Sequence, residues 1–320
     1  MQAAIVYRRC KASENSSSGI RRRLSTMLCA ASLITAHASI AASWSPDGRQ
    51  LAYSYIGGPE NIFLVNSDGT AVVPLVTREQ RDFRPEWSPD GSHLVFTSVK
   101  DGVHVMMRVD RDGRNLRAIS LPEEAAGDPD YSPDGRHLLY FTDEPLPRDL
   151  FVRDTETGEV TALTSTKDFE EVSGRWGPDG RRIVFVGTQA SEGAEGDIWI
   201  LDTKTGDRHN VTNSANAGEF HPDWSHDGTR LVYIKVENGR FTVVVHNLES
   251  QMETVVADGN GNAVLDPHFS RDDEYVTLTR TDFAEKAAGM PAIVKVSLDS
   301  GVETPITKGL YLSQSAAENQ

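Results

Sequence analysis

By residue type, the side chains best suited to chemistry are His221, His246 and His268, since imidazole carries protons at physiological pH and binds metals. Their spacing argues against a shared site. His221 lies three residues ahead of Trp224 and His268 one residue ahead of Phe269, so the two should point differently, and His246 sits within a separate apolar run. Asp258-Gly259-Asn260-Gly261-Asn262 alternates oxygen ligands as a calcium loop does. Ala263 and Phe269 stand where such a loop needs its glycine and its bidentate Glu, so a connecting loop is the better reading. No Gly-x-Ser-x-Gly elbow, His-Glu-x-x-His pair or Walker-type loop occurs, and no cofactor is expected.

A more regular set of polar residues precedes a recurring aromatic. Trp44, Trp87, Tyr131, Trp176, Trp224 and Phe269 follow one another at steps of 43, 44, 45, 48 and 45 residues. Three places ahead of the last five stand Arg84, Asp128, Ser173, His221 and Asp266, with Asp82, Glu171 and Glu219 close by. One reading is that these residues cap strand ends and meet solvent. The functional reading is a polar, mostly acidic rim suited to a cationic peptide or loop, with Arg84 as the strong donor for a carboxylate.

The elements that must position these residues follow from the repeat. Each aromatic opens a motif such as Trp87-Ser88-Pro89-Asp90-Gly91, a turn in which proline presets φ and glycine accepts the left-handed conformation. Three further apolar, β-branched runs separated by turns complete each unit, the fourth strands closing on Leu75-Val76-Thr77, Leu163-Thr164, Val211-Thr212, Val255-Val256 and Ile306-Thr307, and no helical period is present. A lone four-stranded sheet of this kind cannot bury both faces. Six of them stacked radially can, which predicts an all-β, six-bladed propeller of four-stranded antiparallel blades. Hairpin order puts the Ser-Pro-Asp-Gly turns and the third-to-fourth turns on one face. The varied loops 143–148, 188–196, 258–266 and 282–291 then share the other face with the beginnings of the innermost strands, and insertions gathered on one face mark it for binding. Phe83, Phe169 and Phe220 are irregular in spacing and read as packing residues rather than a sugar platform.

Residues 1–38 read as a secretory signal with an extended lead-in: Arg21-Arg22-Arg23, a short apolar run and Ala36-His37-Ala38. Residues 39–310 make the propeller and 311–320 a tail. Sec and twin-arginine export both remain open. Cys10 and Cys29 lie in the leader, which carries six basic residues and one acid. Removing it takes the net charge from −15 to −20. A chain so acidic is a poor match for nucleic acid or an anionic membrane surface.

The Pro-x-aromatic-Ser-Pro-Asp-Gly signature at residues 85–91 and 129–135, and in altered form at 222–228, resembles the WD40-like (PD40) repeat of the TolB family. The resemblance covers residues 39 to about 307. It implies a periplasmic or secreted, non-enzymatic propeller that binds a protein or peptide partner in the cell envelope without spanning the membrane. TolB carries a smaller domain ahead of its propeller, and the early first motif here implies a chain without it. The alternative is a metal-dependent carbohydrate lyase or hydrolase similar to oligogalacturonate lyase, which also uses a propeller and would need His221 and His268 to converge.

Overall fold

Each Ser-Pro-Asp-Gly motif closes its own hairpin, and it does so in the same way around the molecule. In the first copy Ser45 Oγ donates to Asp47 Oδ1 (2.6 Å) and accepts from Gln50 N (2.9 Å), while Asp47 Oδ1 accepts from Arg49 N (3.1 Å). The Ser88 hydroxyl and the Ser92 N–H, doing the same, hold the Asp90 carboxyl down at about 2. Gly48 and Gly91 sit at φ +67°, which only glycine adopts at little cost. The motif is thus a turn and packing device.

These turns link the strands of six four-stranded antiparallel sheets, each built in the order 1-2-3-4 from one contiguous stretch. The computed structural model of the chain describes residues 41–54, 61–142, 146–189, 195–281 and 292–307. Blade 1 runs from Ala42 to Val76, blade 2 from Arg81 to Ala118, blade 3 from Ala126 to Ala162, blade 4 from Phe169 to Asn210, blade 5 from Ala217 to Asp258 and blade 6 from Ala263 to Pro305. A single 3-10 turn, Pro122–Glu124, precedes blade 3, and no other helix is found among the described residues. None there is long and apolar enough to cross a membrane. The expected all-β, six-bladed propeller is the fold observed.

The core is a set of slabs between neighbouring blades. Ile62 and Leu64 of blade 1 meet Trp87, Leu94 and Phe96 of blade 2. Val95 and Met106 meet Leu138 and Tyr140 across the next interface, and Leu139 and Leu150 meet Ile183 and Phe185 across the one after. Val184 and Ile198 then meet Trp224 and Tyr233, and Val232 and Val243 meet Val276 and Leu278. The ring closes where Ile293 and Ile306 of blade 6 pack on Leu51, Tyr53, Phe63 and Val65 of blade 1. Each such side chain contributes roughly 1.5–3 kcal/mol when fully buried. Second strands, such as Arg230–Glu237, are buried on both faces, which is why they read as continuous apolar runs.

Two expectations shift. The outermost strands are shorter and start earlier than the apolar residues suggest. In blades 3, 4 and 6 they are Val160–Ala162, Arg208–Asn210 and Glu303–Pro305. The Leu163-Thr164, Val211-Thr212 and Ile306-Thr307 pairs lie just beyond. There Thr164, Thr212 and Thr307 accept an N–H from the first or second residue of the third strand of their own blade, Leu150, Ile198 and Ile293. The stretch 258–266 is no long loop either: only residues 259–262 separate the strands Glu253–Asp258 and Ala263–Phe269. The Asp258 carboxylate pairs with Arg240 and accepts from Asn260 N, so its oxygens are engaged within this tight turn. Residues 282–291, and parts of 143–148 and 188–196, lie outside the described residues.

Candidate binding site at the channel mouth

The innermost strand of each of blades 2 to 6 carries a bulge, and the residue in it is the one three places ahead of the aromatic. Arg84, Asp128, Ser173, His221 and Asp266 have φ of 53°, 57°, 53°, 50° and 46°. Pairing with the second strand slips at the same place in every case, between Phe83 and Glu86, Gly127 and Asp130, Val172 and Arg175, Phe220 and Asp223, and Leu265 and His268. A left-handed conformation costs a non-glycine residue about 1–2 kcal/mol. Five repetitions of that strain at one position, on the edge that faces the axis, mark a position held for its side chain's direction. Proline follows four of the five, and its missing N–H is tolerated because this edge has no further strand to pair with.

Four of the five side chains, together with Arg175, form one chain of contacts. Arg84 Nη1 donates to Asp128 Oδ2 (2.6 Å), and Arg175 Nη2 donates to Asp128 Oδ1 (2.9 Å). On the far side Arg84 Nη2 reaches His221 Nε2 (2.9 Å), and His221 Nδ1 lies 2.7 Å from Asp266 Oδ1. Blades 2 and 5 are opposite in a six-membered ring, so the Arg84–His221 contact crosses the axis. Side-chain exposures of 12 % for Arg84, 1 % for Asp128, 10 % for His221 and 4 % for Asp266 show that the crossing is closed. Burial alone would raise the Asp128 carboxyl, but Arg175 and Arg84 outweigh it and hold Asp128 well below the usual carboxylate range. Asp266 behaves likewise, its burial overcome by His221 and Arg84.

Ser173 is buried in this ring without joining the chain of contacts, and blade 1 offers only Ala41 at the same position. The cation of blade 4 comes from Arg175 instead. It belongs to a second layer, one place ahead of each aromatic: Ser43, Glu86, Asp130, Arg175, Asp223 and His268. Reading only the position three ahead misses this layer; the same repeat register read one place ahead would have found it. Ser43 Oγ, Asp130 Oδ2 and Asp223 Oδ2 accept the backbone N–H of Trp87, Trp176 and Phe269 in the following blade. Burial pushes Asp130 up to about 7, against the pull of Arg175 and the Trp176 N–H. Burial and the neighbouring Asp130 push Glu86 well above its ordinary range.

Asp82, Glu171 and Glu219 lie elsewhere, at the crossovers into blades 2, 4 and 5. Each is fully buried. Arg78 forks onto Asp82 through Nε and Nη2 (both 2.6 Å), Arg208 Nη1 and Thr166 Oγ1 hold Glu171 Oε1 (2.7 and 2.9 Å), and Ser214 and Thr212 hydroxyls hold Glu219. Burial lifts Glu219 to about 7 despite these donors and Lys235. The histidines do not gather: His268 Nδ1 contacts Asp223 (3.2 Å), and His246 Nδ1 lies 3.3 Å from Tyr233 Oη inside blade 5. Among the described residues no group of three His, Cys, Asp or Glu side chains is arranged to hold a metal ion. Phe83 and Phe169 pack edge-on against His104 and Trp199, and Phe220 against Ile234 and Leu265.

Residues 22–194, more than half of the chain, match the profile of the TolB beta propeller domain, PD40. An uncharacterized protein of Agrobacterium fabrum is 31% identical over 158 residues, which are 45% of this chain and 53% of that protein; the chain thus spans about half the length of this curated relative. Among solved structures, TolB from Acinetobacter baumannii superposes with a TM-score of 0.67 at 18% identity, over 92% of this chain and 72% of that one. An oligogalacturonate lyase in complex with manganese superposes with a TM-score of 0.56 at 18% identity, over 84% and 76% of the two chains. At these identities both structural likenesses speak for the fold alone.

Proposed function

This chain belongs to the TolB beta-propeller family, and on that premise we propose that it is a non-enzymatic binding propeller of the cell envelope, periplasmic or secreted. Its partner is a protein or peptide that docks where the innermost strands begin, at the rim formed by Arg84, Asp128, Ser173, His221 and Asp266. The observation that carries the reading is the bulge repeated in five blades, which spends backbone strain to aim these five positions at one axis. Charge favours a partner with basic groups toward the acidic remainder of the surface, and Arg84 is the anchor for a carboxylate within it. The lyase reading finds less support, because His221 is engaged by Arg84 and Asp266, and His268 by Asp223.

The test is affinity capture from an envelope extract with the wild-type chain, Arg84→Ala and His221→Ala, each checked for an unchanged circular dichroism spectrum. Loss of an anchoring charge at a docking site lowers capture about tenfold or more. Capture that is the same for all three chains removes the rim as the docking site. Metal analysis of the purified protein bears on the lyase reading in parallel.

A further inference from the structure

We propose that His221 is a proton-operated latch on the channel: the neutral ring holds Arg84 across the axis, and the protonated ring releases it. This regulation rests on the reading of the rim as a docking site. Arginine has donors and no acceptor. The 2.9 Å contact between Arg84 Nη2 and His221 Nε2 is therefore a hydrogen bond only if Nε2 carries a lone pair. The ring proton must then reside on Nδ1, which faces Asp266 Oδ1 at 2.7 Å. That Nδ1–H is poorly aligned with the carboxylate, and Asp266 Oδ2 has no donor among the described residues, although both atoms are buried.

The ring is thus caught between opposed demands. Asp266, held as a carboxylate, favours an imidazolium beside it, and the Arg84 guanidinium forbids one. A proton taken up on Nε2 sets N–H against N–H and positive charge against positive charge at the axis. The other charged groups around the ring do not remove that conflict. Asp128 already accepts from both Arg84 and Arg175, His268 of blade 6 is paired with Asp223, and on the ring's own strand Glu219 is bound by Ser214 and Thr212. Asp128 retains Nη1 of Arg84, so the released side chain pivots about blade 3 and frees its other end. In that state Arg84 Nη2 and the His221 Nε2–H both lack an acceptor, and the rim is prepared for a carboxylate.

Nitrogen-15 spectra of the imidazole and guanidinium groups of the partner-free protein, recorded from alkaline to acidic pH, test this. At alkaline pH His221 is expected as the Nδ1–H tautomer, with Arg84 guanidinium protons protected from solvent exchange. Once His221 is protonated, Arg84 protection, taken relative to the intrinsic exchange rate at the same pH, is expected to fall about tenfold, the factor implied by loss of one charge-assisted hydrogen bond. His221→Gln, whose amide oxygen accepts at every pH, keeps Arg84 protected throughout. An Nε2–H tautomer at alkaline pH, or Arg84 protection that is unchanged when the His221 ring gains its second proton, overturns the latch. Because no partner is present, either result leaves the docking proposal standing on its own capture test.

Discussion

Asp128 is the residue on which the crossing depends, since it neutralises two arginines from two other blades. Truncating one member of a buried charge group leaves the rest uncompensated and costs about 3–5 kcal/mol. Asp128→Asn isolates that effect, because asparagine keeps the shape and tolerates the φ of 57° at least as well. The variant is expected to lose about that much stability in urea unfolding at neutral pH; a loss below about 1 kcal/mol, the scale of a surface pair, would show the arginines to be solvated. The sign with pH follows from the depressed carboxyl: its contribution is complete above the usual aspartate range and is lost in acid. Residue-level compensation is visible on the opposite face too. His226 stands where blades 1 to 4 have proline, and its extra N–H, with that of Asp227, is accepted by Asp273 (2.9 and 3.1 Å). Asp273 itself occupies the glycine position of blade 6 at φ 58°, so the two departures from the motif answer one another.

Crossovers between blades lead into the rim, and in them buried acids and hydroxyls stand beside apolar residues such as Leu163 and Val211. Glu219 is the clearest case. Its unfolded carboxyl titrates near 4.5 and its folded one at about 7, chiefly because of burial. The native state therefore binds this proton more tightly, and its contribution to stability is present below the unfolded value and lost as pH rises through the folded one. Glu219→Gln removes the ionisation, and the Ser214 and Thr212 hydroxyls can accept from the amide. The variant is expected to be more stable than wild type by about 1–2 kcal/mol at alkaline pH and about equal to it in mild acid. Urea unfolding at both extremes decides it, and a variant that is less stable at alkaline pH would mean that the carboxylate is the form the crossover prefers. Such elements are only half legible in sequence. Thr164, Thr212 and Thr307 read as the ends of outer strands, yet their hydroxyls turn back to the start of the third strand.

At the scale of the whole molecule, the six junctions are not equal. Among its described residues blade 6 contributes Ile293 and Ile306 to the core cluster it shares with blade 1, against five buried residues from blade 1. The charge chain links blades 4, 3, 2, 5 and 6 and passes blade 1 by, where Ala41 offers nothing polar. Arg271, at the proline position, is what Gly48 meets from blade 6, whereas Gly91 and Gly135 meet Pro46 and Pro89 of the blades before them. Hydrogen exchange under mild denaturation is therefore expected to expose the described strands of blades 1 and 6 before those of blades 3 and 4. Simultaneous exchange of all six blades would show that closure is as strong as any other junction.

How much of this was legible beforehand depends on distance along the chain. The repeat of aromatic, Ser-Pro-Asp-Gly and β-branched runs determined the six blades, because turn chemistry and strand patterning act over a few residues. The same period picked out Arg84, Asp128, Ser173, His221 and Asp266 as one column of equivalent positions. It could not reveal that each sits in a bulge, nor that Arg175 rather than Ser173 supplies the cation of blade 4. Only the closed ring decided that Arg84 and His221, 137 residues apart, meet across the axis. A repeat fixes what each blade presents to the centre; which groups meet there depends on the angles accumulated over all six.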